Sequence, residues 1–173
     1  FDLIGAARSI LVFGVLMLAL GAFGLFRAGA TRRAALFGLA LLFFVGMFVF
    51  GDFHGKDTPG QVYETESAYN YIEVLENGQS RYLRLNDGQG VHSVYHPDVL
   101  FYGGPWELFL VGPYFNADTN PADVKRIGIV GLAAGTAARQ ATAIYGDIPI
   151  DGWEIDPVIV EVGQKYFEMT MPN

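Results

Sequence analysis

The 173-residue sequence contains no cysteine, which excludes disulfide bonds, thiol nucleophiles and metal sites built from cysteine. Positive charge is also scarce, because 11 Lys and Arg stand against 18 Asp and Glu and the formal net charge is -7. Nucleic-acid binding needs clustered Lys and Arg to neutralise phosphates, so no nucleic-acid partner is expected. His92 and His96 are four residues apart, but they fall in a predicted strand and turn rather than on a helix, so no metal is expected either.

Charged residues are absent from two long runs near the beginning of the sequence, residues 10–26 and 34–50. Each run would extend about 26 Å as a helix, near the lower bound for crossing the hydrocarbon layer of a membrane. A hairpin buried in a soluble core is the alternative, but helices that are apolar on every face need partners all round, and the rest of the sequence offers few. The sequence predicts a transmembrane helical hairpin over residues 1–50, followed by a polar linker over residues 51–60.

The arginines around this hairpin bear on its orientation. The short connector between the two runs holds Arg27, Arg32 and Arg33, whereas Arg8 and Lys56 lie near the other helix ends. Positive residues favour the cytoplasmic side, so the connector is the better cytoplasmic candidate and the rest of the chain would lie outside the cell. A domain that needs a cytosolic metabolite demands the opposite orientation, so the sequence leaves the side of the soluble domain open.

A small β-rich domain is predicted over residues 61–120. Apolar and polar residues alternate on both sides of Asn77 and Gly78, which predicts a β-hairpin with its turn at this pair. A second turn begins at Asn86 and leads into a further strand, which gives an antiparallel sheet of four to six strands. Residues 98–115 are apolar enough for a helix that lies against this sheet, although Gly103, Gly104 and Pro105 must break or begin it.

Residues 121–173 predict the first part of a Rossmann-like α/β domain that binds a nucleoside. The apolar run at 127–130 suits a buried parallel strand, Gly131 and Gly135 bracket a tight turn, and an Ala-rich helix follows. Glu154 ends the next apolar stretch, 23 residues after Gly131. In nucleotide-binding βαβ units, an acidic residue at about that distance accepts hydrogen bonds from ribose hydroxyls. The G-x-x-x-G turn is weak evidence alone, but with Glu154 it predicts an adenosine-type site.

Three other residues have a structural interpretation beside a functional one. Asp156 followed by Pro157 predicts the N-cap and first residue of a helix over residues 157–166. Trp106 and Trp153 could stack on adenine, and Trp153, beside Glu154, is the better candidate. Packing is the interpretation we favour for both tryptophans.

Three segments carry a resemblance to a known family: "LRLNDGQGVHS", "VKRIGIVGLAAGTAARQ" and "IDGWEIDPVIVEVGQKYF". Residues 69–173 resemble the spermidine synthase family, the polyamine aminopropyltransferases, and in particular its membrane-anchored bacterial relatives. The resemblance implies a small β domain and an S-adenosylmethionine-methyltransferase-like Rossmann domain. It also implies transfer of an aminopropyl group from decarboxylated S-adenosylmethionine to putrescine. The candidate cofactor-binding residues are then Gly131, Ala133, Ala134, Gly135, Glu154 and Ile155.

The sequence departs from the family pattern at polar positions. Ala134 stands where the glycine-rich turn of the family has an aspartate, and Gly103 and Gly104 stand where the family has a His-Glu pair. The catalytic aspartate of the family would lie beyond residue 173 in a longer protein, so no catalytic residue is assigned and activity as an enzyme stays open.

Two functions therefore remain. The first is a spermidine synthase-like protein, integral to a bacterial cell membrane, that binds an S-adenosyl-type nucleoside and transfers an aminopropyl group to a small amine. The alternative is a catalytically inactive homologue that acts as an accessory subunit of a larger membrane complex, with other transmembrane subunits as partners beside the lipid bilayer. The lost polar groups favour the alternative, and the intact spacing of strand, turn and acid favours the first.

Overall fold

The computed structural model describes residues 5–51, 58–86 and 90–170, with the backbone alone at residues 6 and 7. The chain forms two compact units, Phe1–Lys56 and Asp57–Asn173. The four-part division predicted from the sequence, with boundaries after residues 50, 60 and 120, stays a prediction.

The first unit consists of two long helices that pack against each other, α1 (Gly5–Arg27) and α2 (Thr31–Phe50). The ring of Phe37 lies against Gly21, where a Cβ atom would stand 2.9 Å from it, so the glycine permits this approach. Most of the large apolar side chains of both helices are exposed. Helices that are apolar on every face require an apolar surrounding. Their length and composition make both helices candidate membrane spans.

The second unit begins with a four-stranded antiparallel sheet in which each strand pairs with the next along the chain. The predicted hairpin is confirmed, because Asn77 pairs with Ser80 and Gly78 has a φ of 62° in the turn between them. The second predicted turn begins at Asn86, and its residues 87–89 lie outside the described residues. The strands are β1 (Gln61–Glu66), β2 (Tyr71–Asn77), β3 (Ser80–Leu85) and β4 (Val91–Tyr95).

The apolar segment at residues 98–115 forms a five-residue helix, α3 (Pro105–Phe109), and a separate 3-10 turn, Gly112–Phe115. Pro105 opens α3, since its missing N–H costs nothing at the first helical position. Pro113 lacks the N–H that a continuous α-helix would bond to the carbonyl oxygen of Phe109, so α3 cannot run on through the 3-10 turn. The prediction that Gly103, Gly104 and Pro105 break or begin the helix is confirmed, and the helix is shorter than the apolar segment.

A parallel βαβ unit follows and agrees with the predicted order of strand, turn, helix and strand. Its two strands pair in parallel from Ile127 opposite Ile150 to Val130 opposite Trp153. The sequence-based assignment of a Rossmann-like domain needs more strands than these two and stays a prediction. The elements are β5 (Ile127–Val130), α4 (Thr136–Tyr145), β6 (Ile150–Trp153) and α5 (Pro157–Tyr166).

The core of the second unit lies between the antiparallel sheet and α5. One face of the sheet supplies Ile72, Val74 and Leu83, and α5 supplies Ile159 and Val162. All five side chains are almost fully buried. Burial of a large aliphatic side chain stabilises a fold by about 1.5 to 3 kcal/mol, so these contacts fix α5, and the loop that precedes it, on the sheet.

Candidate functional site

The turn between β5 and α4 has a backbone that few residue types adopt readily. Gly131, Ala133 and Gly135 all have positive φ values, of 81°, 50° and 88°. Glycine adopts this conformation without a steric cost, whereas an alanine pays roughly 1 to 2 kcal/mol. Contacts with neighbouring residues must therefore stabilise the strained backbone of Ala133.

The side chain of Glu154 stabilises the backbone of Ala133 through a hydrogen bond. Its side chain accepts a hydrogen bond from the Ala133 N–H through Oε2 at 2.9 Å and one from the Asp156 N–H through Oε1 at 3.1 Å. A carboxylate has about four acceptor positions, so each oxygen can still accept a hydrogen bond from a ligand. The carboxylate predicted to bind ribose thus also ties the turn to the end of β6.

Every backbone N–H of the turn, from Gly131 to Gly135, is engaged within the protein. The first two donate to the carbonyl oxygen of Trp153 at 2.8 and 3.0 Å, and the last donates to Leu132 at 3.1 Å. The N–H of Ala133 bonds Glu154, and that of Ala134 donates to the Ser93 Oγ at 3.0 Å. These five groups are therefore not free donors for a ligand.

Strand β4 supplies a second support for the turn. The Thr136 hydroxyl donates to the Val94 carbonyl oxygen at 2.9 Å and accepts from the Val94 N–H at 2.8 Å. Ser93 beside it bonds the Ala134 N–H, and both hydroxyl-bearing residues are buried. Sequence reasoning missed these contacts, because Ser93 and Thr136 lie 43 positions apart and neither belongs to a motif.

Asp156 connects the loop after Glu154 to the antiparallel sheet. Its carboxylate accepts from the Val158 N–H at 3.1 Å, which confirms the predicted N-cap of α5. It also accepts from the Ser67 hydroxyl at 2.5 Å and the Asn70 amide at 2.9 Å, both in the turn between β1 and β2. Asp156 is 0% exposed, so its own carboxylate is shielded from water.

A cleft of about 450 Å³ lies beside the turn, between β5, α3 and α4. This volume falls within the range of small-molecule sites, about 300 to 1,000 Å³. The lining is mostly apolar, with His92 and Tyr145 as polar exceptions. The Tyr145 hydroxyl donates to the Leu110 carbonyl oxygen, and burial raises the pKa of this tyrosine. The cleft can thus hold an apolar or weakly polar group.

The six predicted cofactor-binding residues do not all face this cleft. Gly131 and Ala133 line it, whereas Glu154 and Ile155 do not, and Ile155 is 71% exposed. Ala134 is 3% exposed and packs in the core cluster, and Gly135 is also buried.

The two tryptophans differ in their position relative to this cleft. Trp106 lines the cleft and contacts Tyr102 edge to face, with ring centroids 6.4 Å apart. Trp153 is outside the lining and 57% exposed, and its ring lies against Gly128. Trp106 is therefore the better placed of the two for stacking on a ligand in this cleft.

The two histidines considered as metal ligands have separate positions. His92 lines the cleft, whereas the Nδ1 atom of His96 accepts hydrogen bonds from the Asp98 and Val99 N–H groups, both at 3.0 Å. Within the described residues, no group of three or more His, Asp or Glu side chains is arranged to hold a metal ion. His96 thus acts as a turn-stabilising acceptor.

No protein-family model matches the sequence. The chain is 34% identical over 106 residues to a probable polyamine aminopropyl transferase of Bifidobacterium longum (strain NCC 2705). The alignment covers 61% of this chain and 23% of the relative, so the chain spans less than a quarter of that protein. The similarity supports the spermidine synthase family for the aligned part of the chain.

Proposed function

We propose that residues 57–173 form the nucleoside-binding part of a spermidine synthase-like protein, which α1 and α2 anchor in a bacterial membrane. The observation that carries this proposal is the bond between Glu154 and the Ala133 N–H. It joins the acidic residue after β6 to the glycine turn after β5. Ligands of α/β proteins bind at the carboxyl ends of parallel strands, where both of these groups lie.

The ligand class follows from the hydrogen bonds of the turn. Phosphate-binding turns offer free backbone N–H groups to the anion, but all five N–H groups from Gly131 to Gly135 bond within the protein. An S-adenosyl-type nucleoside, with ribose hydroxyls and no phosphate, therefore suits the turn better than a dinucleotide does.

The reaction that this lineage implies is the transfer of an aminopropyl group from decarboxylated S-adenosylmethionine to a small amine. The amine nitrogen forms a bond to the methylene carbon next to the sulfonium, the carbon–sulfur bond breaks, and its electron pair stays on the sulfur of 5′-methylthioadenosine. The nitrogen then loses a proton to a base. The residues of this chain position the nucleoside, and we assign none of them as that base.

An inactive accessory subunit is the second candidate, and Ala134 is the observation that favours it. Where the family has a carboxylate, this chain has a methyl group that is 3% exposed in the core cluster. The methyl group of Ala134 offers no polar contact to a ligand. The two candidates differ in whether the unit still binds a nucleoside.

Calorimetric titration of the detergent-solubilised chain with 5′-methylthioadenosine tests the proposal. Glu154→Gln should weaken binding tenfold or more, since hydrogen bonds to charged groups contribute roughly 1.5 to 3 kcal/mol each. Glu161→Gln, which changes an exposed carboxylate on α5, is the matched control and should bind normally. NAD should not bind either protein.

A stability measurement and a binding measurement on the unmutated chain show what a loss of nucleoside binding means. Thermal unfolding of Glu154→Gln shows whether the turn survives the loss of one of its two backbone hydrogen bonds. Absence of nucleoside binding to the unmutated chain at millimolar ligand would refute the proposal and favour the accessory subunit.

A further inference from the structure

The backbone after α5 is anchored where it leaves the helix. Phe167 is buried in the core cluster, and its N–H and the Met169 N–H both donate to the Gly163 carbonyl oxygen, at 3.0 and 3.1 Å. Glu168, between them, has a φ of 52°, the left-handed conformation that commonly ends a helix. These contacts fix the backbone of Met169 beside the last turns of α5.

The side chain of Met169 fills a slot between two glycines. A Cβ atom at Gly135 would stand 2.9 Å from both its Cγ and its Sδ, and a Cβ atom at Gly163 would stand 2.7 Å from its Cε. Both glycines therefore leave the space that the thioether occupies. Gly163 lies inside α5, where glycine is less favourable than alanine, and the packing of Met169 accounts for its presence there.

This slot borders the candidate nucleoside site, because Gly135 is the last residue of the glycine turn. Glu154 and Ser93 hold the two residues before it through hydrogen bonds to their N–H groups. Gly135 itself has only backbone hydrogen bonds among the contacts described for it, and it packs against Met169. The thioether thus adds a packing contact to the hydrogen bonds that hold the turn.

We propose that Met169 is an oxidation site at which a peroxide releases the glycine turn. A lone pair of the sulfur forms a bond to one oxygen of hydrogen peroxide, the O–O bond breaks, and the products are methionine sulfoxide and water. Met169 is half-buried, so its side chain is not sealed from a small oxidant in the solvent.

The sulfoxide does not suit the slot that the thioether fills. Oxidation adds a polar oxygen to a sulfur that packs against Gly135, and all five N–H groups from Gly131 to Gly135 already bond within the protein. A polar group without a hydrogen-bond partner is unfavourable in such packing. The oxidised side chain therefore leaves the slot, and the turn loses the contact.

Thermal unfolding of the detergent-solubilised full chain, followed by tryptophan fluorescence before and after peroxide treatment, tests the proposal. Oxidation should lower the Tm by about 4 °C or more, and a methionine sulfoxide reductase should restore it. Met169→Leu keeps an apolar side chain of similar volume without the sulfur, so its Tm should not change in peroxide. Met17→Leu, Met47→Leu and Met171→Leu each keep Met169 and should lose as much as the unmutated chain.

Two results would overturn the oxidation site. One is an equal loss of Tm in Met169→Leu and in the unmutated chain. The other is an unchanged Tm when mass spectrometry shows complete oxidation of Met169. If Met169→Leu does not fold, a chain with norleucine in place of every methionine decides, because norleucine keeps the length of the side chain and has no sulfur. A fall of its Tm in peroxide also overturns the proposal.

The consequence for ligand binding rests on the proposed function. Oxidation should weaken the binding of 5′-methylthioadenosine tenfold or more in the unmutated chain and leave it unchanged in Met169→Leu. If the unmutated chain binds no nucleoside but its Tm still falls on oxidation of Met169, the nucleoside proposal fails and the oxidation site stands.

Discussion

The contact between Thr136 and Val94 provides a sharp test of how the turn is held. In Thr136→Val a methyl group replaces the hydroxyl, so the size and the β-branched shape of the side chain are kept. Threonine and valine also have similar helix propensities. The change therefore removes two hydrogen bonds and little else, and it leaves the Val94 N–H and carbonyl oxygen without their partner.

The size of the stability loss in Thr136→Val follows from the burial of the two residues. Thr136 is 4% exposed and Val94 is 7% exposed, so water cannot replace the lost bonds. Each buried backbone group left unsatisfied costs about 1 to 3 kcal/mol, which gives about 2 to 6 kcal/mol for the pair. The added methyl group offsets about 0.8 kcal/mol of this through its own burial. We expect the free energy of unfolding to fall by about 1 to 5 kcal/mol.

Urea unfolding of the detergent-solubilised chain measures this loss. The sequence has two tryptophans, Trp106 and Trp153, and both lie in the second unit, so intrinsic fluorescence reports its unfolding. Thr142→Val is the matched control on the same helix, because the exposed Thr142 hydroxyl bonds only the carbonyl oxygen of Ala138. The control should change the free energy of unfolding by less than about 0.5 kcal/mol. Equal effects of the two substitutions would refute the role of Thr136.

Two further predictions concern the hydrogen bonds of Asp156 and the two apolar helices. Asp156→Ala leaves the donors of Ser67, Asn70 and Val158 without their acceptor. It should lower the free energy of unfolding by about 2 to 4 kcal/mol, measured by the same urea titration. A change below about 0.5 kcal/mol would contradict this prediction. The full chain should partition with detergent in a phase-separation assay, and a chain without residues 1–50 should stay in the aqueous phase. Recovery of the full chain in the aqueous phase would contradict the membrane assignment of α1 and α2.

The elements that the sequence predicted well depend on local chemistry. Asn77 and Gly78 predict a hairpin turn because they tolerate positive φ values, and Asp156 before Pro157 predicts a helix start because both residues satisfy the first helical turn. The glycine turn and Glu154 follow from the spacing of a single βαβ unit. Each of these signals lies within about 25 residues of sequence, and the hairpin, the helix start and the strand–turn–helix–strand order matched the structure, whereas ribose binding by Glu154 stays a prediction.

The contacts that the sequence did not predict join distant parts of the chain. Ser93 bonds the Ala134 N–H from 41 positions away, and Glu107 bonds Gln140 from 33 positions away. No periodicity or motif marks such pairs, because each residue is an ordinary choice in its own strand or helix. They become visible only when the packing of β4, α3 and α4 around the turn is known.

The structure gives a packing explanation for two of the departures from the family pattern. Ala134 packs in the core, and a side chain at Gly104 would place its Cβ 2.3 Å from the Trp106 ring, so packing accounts for the small residues at both positions. Glu107, three positions after Gly104, accepts a hydrogen bond from the Tyr102 N–H and so stabilises the start of α3. Because packing accounts for the small residues at these two positions, their presence does not by itself decide between the enzyme and the accessory subunit, and nucleoside binding to the unmutated chain is the measurement that does.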